Sequence, residues 1–187
     1  MMIPPKLKAA GLTIRMANDE DIPALLAYYA ANQEFLRPYS PPWPDSMFDA
    51  TAWLGRLRQQ HEDFTQDRSC KLYLFKGTSV AGSIGLSGIQ RGAFQACFLG
   101  YELAESEQGK GVMGKAIEQV IRYVFDQLKL HRIQANYLPS NERSGRLLKR
   151  LGFTVEGYAR DYLFINGQWC DHILTSLTNP ATKPPFG

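Results

Sequence analysis

The sequence predicts a mixed α/β fold of the α+β kind, with a mostly antiparallel central sheet of about seven strands and about four flanking helices. Three observations carry this expectation. One strand and two helices precede a run of three strands. A glycine-rich loop then opens a strongly amphipathic helix in the middle of the chain. Two long strands close the chain around Asn166-Gly167, a strong short-range hairpin signal.

In chain order, Leu12–Met16 alternates as a strand, and Asn18 or Asp19 caps a helix. The acids Asp19, Glu20 and Asp21 suit the positive end of that helix, and Ile22, Leu25, Leu26 and Tyr29 form its apolar stripe. Pro38, Pro41, Pro42 and Pro44 then impose a loop that carries Tyr39 and Trp43. Those aromatics either pack the loop or form a lip of a substrate cleft. A second helix starts at Ser46 or Asp49 and runs to about Gln66, with Phe48, Ala52, Trp53, Leu57 and Phe64 inward. Strands follow at Lys71–Phe75, from Val80 to about Gln90, and at Cys97–Leu103. Met113, Ala116, Ile117, Val120, Ile121, Val124 and Leu128 recur every three or four residues, marking the next helix. Ile133–Tyr137 is a strand, and Asn141 caps a helix that ends at Leu151-Gly152. Phe153–Ile165 and Gln168–Leu177 are the closing pair. With no repeat, linker or low-complexity tract, residues 1–187 read as one domain with a core of about 12–178.

Bulk properties exclude several classes of function. The net charge is +3, too small to imply DNA binding. Cys70, Cys97 and Cys170 lack CxxC spacing, and His61, His131 and His172 are scattered, so neither a disulfide framework nor a metal site is expected. Cys97 falls on the apolar face of its strand and reads as core. Residues from Met1 to Lys6 form no signal-like apolar stretch, and no segment reaches the ~18 apolar residues of a spanning helix. A cytoplasmic location without membrane association is expected.

The central segment Gln108-Gly109-Lys110-Gly111-Val112-Met113-Gly114 is where chemistry concentrates. The first turn of a helix leaves backbone N–H groups unpaired and carries partial positive charge, and glycines let a phosphate approach them. The spacing Gly109-x-Gly111-x-x-Gly114 matches a dinucleotide fingerprint, but the next strand, Arg132–Tyr137, lacks the acid that would hold the ribose. A nucleotide P-loop needs a hydroxyl where Ala116 stands. An ordinary glycine-rich connection is the remaining alternative.

The element order and two motifs resemble the GNAT acetyltransferase family. The first motif is the loop Ser106-Glu107-Gln108-Gly109-Lys110-Gly111, similar to the family's pyrophosphate loop with Ser106 at its variable start. The second is Asn141-x-x-Ser144 followed by Leu147-Leu148 and Leu151-Gly152-Phe153. Asn136-Tyr137, Asn141–Gly145, Glu156–Leu163 and Gly167–His172 further resemble the branch that acetylates the N-terminal alanine of a small-subunit ribosomal protein. That likeness spans about Leu12 to Thr178. It implies the GNAT fold, acetyl-CoA as co-substrate with no metal, and a ribosomal-protein N-terminus as acceptor, with possible contact to a ribosome or its precursor.

The resemblance also implies roles for individual residues. Amides from Gln108 through Gly109, Lys110, Gly111, Val112, Met113 and Gly114 would hold the pyrophosphate. Leu103, Ala104 and Asn141 would meet the pantetheine arm, and Lys110 or Arg146 the 3′-phosphate. Ser144 would protonate the leaving thiolate or merely serve its helix terminus, with Tyr137 and Tyr158 as alternative acids. The position of a related enzyme's base falls on Leu163, which cannot serve. Glu102 is then the candidate base, or else part of a rim salt bridge, with Asp161 and Glu34 as outside candidates. Tyr39, Trp43, Tyr137 and Tyr162 would line the acceptor cleft. An α-amino group has a neutral fraction at pH 7 roughly a few-hundred-fold above that of lysine, so a weak base suffices. The competing functions are a ribosome-assembly binding protein with a secondary acetyl-CoA site, and an acetyltransferase for another protein or a small amine.

Overall fold

The computed structural model describes residues 3–181; Met1, Met2 and residues 182–187, which the one-domain expectation included, lie outside the described residues. The described elements are β1 (Lys6–Ala9), β2 (Leu12–Arg15), α1 (Ile22–Leu36), α2 (Ala50–Thr65), β3 (Cys70–Lys76) and β4 (Ser79–Gln90). They continue as β5 (Ala96–Leu103), α3 (Val112–Asp126), β6 (Arg132–Gln134), α4 (Glu142–Arg150), β7 (Thr154–Ile165) and β8 (Gln168–Thr178). One eight-stranded sheet runs in the order β1-β2-β3-β4-β5-β6-β8-β7, and only β5–β6 is parallel. The strand beyond the expected seven is β1. It folds back on β2 through Ala10 and Gly11, both at positive φ, and is an edge strand carrying Lys6 and Lys8.

Alternation along β3 explains the two cores. Leu72 and Leu74 face α3 and pack with Ile14, Ile84, Leu86, Cys97, Ala116, Ile117, Val120 and Val124. Tyr73 and Phe75 face the other way and pack with Leu25, Tyr28, Tyr29, Trp53 and Leu57 of α1 and α2. Helix α2 starts one residue after its N-cap Asp49, whose side chain accepts from the Thr51 amide. That start leaves Phe48 in the preceding turn, 41% exposed rather than inward. The segment expected as a strand over 133–137 is regular only to Gln134, with a single bridge from Tyr137 to Ile173.

At the entry to α1, the Arg15 guanidinium grips Asp21 with two bonds of 2.7 and 2.8 Å. Burial pushes the Asp21 carboxyl up, but Arg15 and the Asn18 amide outweigh it and hold it below the usual range. A carboxyl lowered in the folded state stabilises above its unfolded pKa of ~3.9, and that contribution is lost as pH falls through the folded value. Asp21→Asn is therefore expected to cost about 1–2 kcal/mol at pH 7, or roughly 2–8 °C in Tm. Thermal melts from pH 7 downward should show the gap to the parent protein closing only as the pH falls past the unfolded value of ~3.9 and on through the lowered folded one.

Candidate functional site

Strand β5 is paired on both edges only at its start. Ala96, Cys97 and Phe98 lie beside Arg132, Ile133 and Gln134 of β6. Beyond them the chain turns to β8, where the Ala135 amide donates to Thr175 O and the Tyr137 amide to Ile173 O. From Leu99 to Leu103, β5 keeps β4 on one side and has no strand on the other. The result is a gap in the sheet, wide at the Leu103 end. The loop before α3 and the start of α4 stand at that wide end. They are neighbours, since a Cβ on Gly114 would lie 3.4 Å from Leu147 Cδ1.

The loop is built to present amides. A single turn over Glu105–Glu107 is closed by bonds from the Glu107 amide to Ala104 O and from the Gln108 amide to Glu105 O. The Gln108 side chain folds back to donate to Leu103 O (3.0 Å), so Gln108 braces the loop and the open amides begin one residue later. Gly109 and Gly111 lie at φ +74° and +70°, which only glycine adopts without strain. The N–H groups of Gly109, Lys110, Gly111, Val112, Met113 and Gly114 have no acceptor among the described residues. Six consecutive open donors at a helix N-terminus fit the pyrophosphate of a nucleotide carrier. Leu103 and Ala104 are buried beside the gap, and Ala104 is tied to β4 through Ala81 O. The Lys110 ammonium pairs with Glu107 (3.2 Å), which also takes Lys76 (2.9 Å). Lys76 and then Lys110 hold the Glu107 carboxyl below the usual range. Arg146 is exposed and pairs with Glu142 one turn back (2.7 Å), a surface pair that yields readily to a phosphate.

Across the gap, Asn141 caps α4 by accepting from the Ser144 amide (3.1 Å). The Ser144 hydroxyl is hydrogen-bonded to the hydroxyl of Tyr101, which reaches over from β5. Burial pushes the Tyr101 phenol up to about 12, with Ser144 pulling it part of the way back and Tyr137 adding to the rise. Sequence reasoning missed Tyr101. The available signal was alternation, which sets Tyr101 on the same face as Leu99 and Leu103. Tyr137 lies close against α4, where a Cβ on Gly145 would come within 2.8 Å of its ring. Gly145→Ala should therefore displace Tyr137 and destabilise the protein by about 1–3 kcal/mol, read by urea denaturation. Tyr158, the other alternative acid, is exposed on the edge strand β7 and donates to Asp171 (2.5 Å).

Glu102 projects from the opposite face of β5. No salt bridge to it forms among the described residues; two neutral hydroxyls hold the carboxylate instead. The Tyr29 hydroxyl donates to Oε1 at 2.9 Å and the Ser83 hydroxyl to the same oxygen at 2.8 Å. Burial first, then the Glu102 charge, raise the Tyr29 phenol well above its ordinary range, so it stays a donor. The Tyr28 hydroxyl, buried close by, has no partner among the described residues, and burial and Glu102 raise it too. Asp161 and Glu34 are both exposed, and the Asp161 amide donates to Asp171.

Tyr29 links this carboxylate to the proline loop. Trp43 meets its ring edge-on at 5.2 Å, and Trp53 stacks on it at 5.5 Å. Of the two alternatives, Trp43 takes the packing one, while Tyr39 is 48% exposed. The loop is clasped to the closing hairpin by a bond from the Asn166 amide to Ser40 O (3.1 Å). Tyr162 accepts from Asn136 Nδ2 (3.1 Å) and lies 5.4 Å from the buried His172 ring. No group of three or more potential metal ligands occurs among the described residues, and no described helix is long and apolar enough to cross a membrane.

A parted sheet with a phosphate cradle at its open end and a hydroxyl pair beside it suits a transferase whose donor is carried on a nucleotide. Residues 11–154 match the profile of the acetyltransferase (GNAT) domain, and the chain belongs to that family, whose acyl donor is acetyl-CoA. It is 42% identical over 181 residues to the [ribosomal protein uS5]-alanine N-acetyltransferase of Escherichia coli (strain K12), covering 96% of this chain and 93% of that protein. The crystal structure of a ribosomal-protein-S5-alanine acetyltransferase from Vibrio fischeri superposes with a TM-score of 0.90 at 34% identity, covering 98% of this chain and all of that one. Mycobacterium smegmatis RimJ, solved in complex with CoA-disulfide, shares the fold with a TM-score of 0.87 at 24% identity, over 96% of this chain and 90% of that one.

Proposed function

We propose that this acetyltransferase moves the acetyl group of acetyl-CoA to the α-amino group of an N-terminal alanine on a small-subunit ribosomal protein. The observation that carries this is the division of labour across β5. Tyr101 and Ser144 gather proton donors on one face, and Glu102, held by hydroxyls, stands on the other, behind the aromatic lip. The 42% identity to the uS5-alanine enzyme, running almost end to end, supports the choice of acceptor.

The pyrophosphate sits on the amides from Gly109 to Gly114, and the pantetheine arm lies along Leu103, Ala104 and Asn141. Arg146 and Lys110 turn toward the 3′-phosphate. The acceptor enters past Tyr39 and Trp43, with Tyr137 and Tyr162 shaping the inner end of its cleft. Glu102 takes the proton of the attacking amine, and the Tyr101–Ser144 pair supplies one to the departing thiolate. An α-amino group is already partly neutral near pH 8, which suits a carboxylate base better than a lysine acceptor would.

Incubating purified small-subunit ribosomal proteins with this protein and acetyl-CoA, followed by intact mass, tests the proposal. One added acetyl group at the N-terminus of one alanine-starting protein is expected. No acetylation while acetyl-CoA still binds refutes that acceptor.

A further inference from the structure

Glu102 does not hold its own geometry. Ser83 lies directly across from it on β4 in the antiparallel register, and is fully buried. Its hydroxyl accepts from the Lys71 ammonium (2.8 Å) and reaches Glu102 Oε1 at 2.8 Å. An ammonium can only donate, so the single proton of Ser83 is turned away from Lys71 and toward Glu102. Lys71 is anchored in turn, its stem passing over Gly85, where a Cβ would stand 3.7 Å from Lys71 Cδ. Tyr29 spends its only proton on the same Oε1. One carboxylate oxygen thus takes two donors, while Oε2 takes none from the described residues.

We propose that Ser83, oriented by Lys71, is a positioning residue for acetyl transfer: with Tyr29 it pins Oε1 and so assigns the acceptor's proton to Oε2. This rests on Glu102 being the base. In the step it serves, an N–H bond of the acceptor ammonium breaks and its proton passes to Oε2. The electron pair stays on nitrogen and forms the C–N bond at the thioester carbon, while the C–S bond pair leaves with sulfur. The thiolate takes a proton from the Tyr101–Ser144 pair. The acylated nitrogen sheds its second proton to water, Glu102 returns its own to solvent and the Tyr101–Ser144 pair takes one back, for a net release of one.

The test is steady-state kinetics of the full chain with acetyl-CoA and an alanine-starting peptide from a small-subunit ribosomal protein. Ser83→Ala should lower kcat by about 10-fold with both KM values within roughly 2-fold, since substrate binding does not use Oε1. In a Glu102→Gln background the same change should have no further effect, because Ser83 acts only through that carboxylate. Lys71→Met should lower kcat by about 3–10-fold and Lys71→Arg should restore it, which keeps the test usable if Ser83→Ala fails to fold. If Glu102→Gln abolishes turnover while Ser83→Ala and Lys71→Met do not lower kcat, the positioning role is overturned. Independent, multiplying effects of Ser83→Ala and Glu102→Gln overturn it as well. If Glu102→Gln itself keeps wild-type kcat, Glu102 is not the base and the positioning role falls with it.

Discussion

Gly111→Asp abolishes measurable acetyl-CoA binding while leaving the protein folded. Gly111 sits at φ +70° in open space, with no heavy atom within 4 Å of where a Cβ would stand. Aspartate tolerates the left-handed region better than most side chains, so backbone strain stays near 1 kcal/mol. Its carboxylate, however, would stand among the six open amides and meet the pyrophosphate with like charge. Losing that cradle and adding repulsion should weaken binding by at least about 100-fold, or roughly 3 kcal/mol. Calorimetric titration with acetyl-CoA measures the loss, and circular dichroism confirms the retained fold. Gly111→Ala, which adds strain without charge, should fall between the two. Unchanged affinity in Gly111→Asp would remove the loop from the donor site.

Tyr101→Phe lowers kcat by about 100-fold, the usual contribution of a well-placed general acid. The ring is kept, so packing against Leu99, Leu103 and α4 survives and the Kd for acetyl-CoA should move by less than about 3-fold. Ser144→Ala in the same background should add little, because the two hydroxyls act as one donor. The alkaline side of the profile carries a second signature. With the phenol pushed up to about 12, only about one Tyr101 in a hundred is ionised at pH 10. The parent enzyme should therefore keep its kcat to pH 10, beyond the point where a thiol or an ordinary tyrosine in this role would fail. A kcat in Tyr101→Phe equal to that of the parent excludes Tyr101 as the acid.

What was legible in the sequence was local. The stripe of α3, the Asn141 cap, the glycine loop and the Asn166-Gly167 turn each lie within a few residues of their cause, and each stands as expected. What was not legible joins distant segments. Tyr101 meets Ser144 43 residues on, and Glu102 is held by Tyr29 from 73 residues away. No spacing rule reports such pairs; only the packing of β5 against α4 on one face and α1 on the other creates them. Glu102 shows the effect most clearly: of its two alternatives, base or rim salt bridge, the salt bridge gives way to two hydroxyl donors that its sequence neighbours do not hint at. Gln108 shows the opposite case. Its place in the glycine motif suggested a phosphate contact, yet its amide and side chain are both used inside the loop.

The three-residue parallel pairing of β5 with β6 has a mechanical consequence. The sheet behaves as two panels, β1 to β5 and β6 with β7 and β8, stitched along one short seam at Ala96–Phe98. With the donor arm laid between the panels as proposed, acetyl-CoA would supply rungs the polypeptide lacks. Because those rungs exist only in the native state, they raise the unfolding free energy by about 2.7 kcal/mol when acetyl-CoA is at 100 times its Kd. The gain should be spatially uneven, with slowed amide exchange along Leu99–Leu103 and the chain from Ala135 to Leu138, and little change in β3 and β4. On that placement acetyl-CoA would act as a structural brace as well as a substrate, fitted and removed with each turnover.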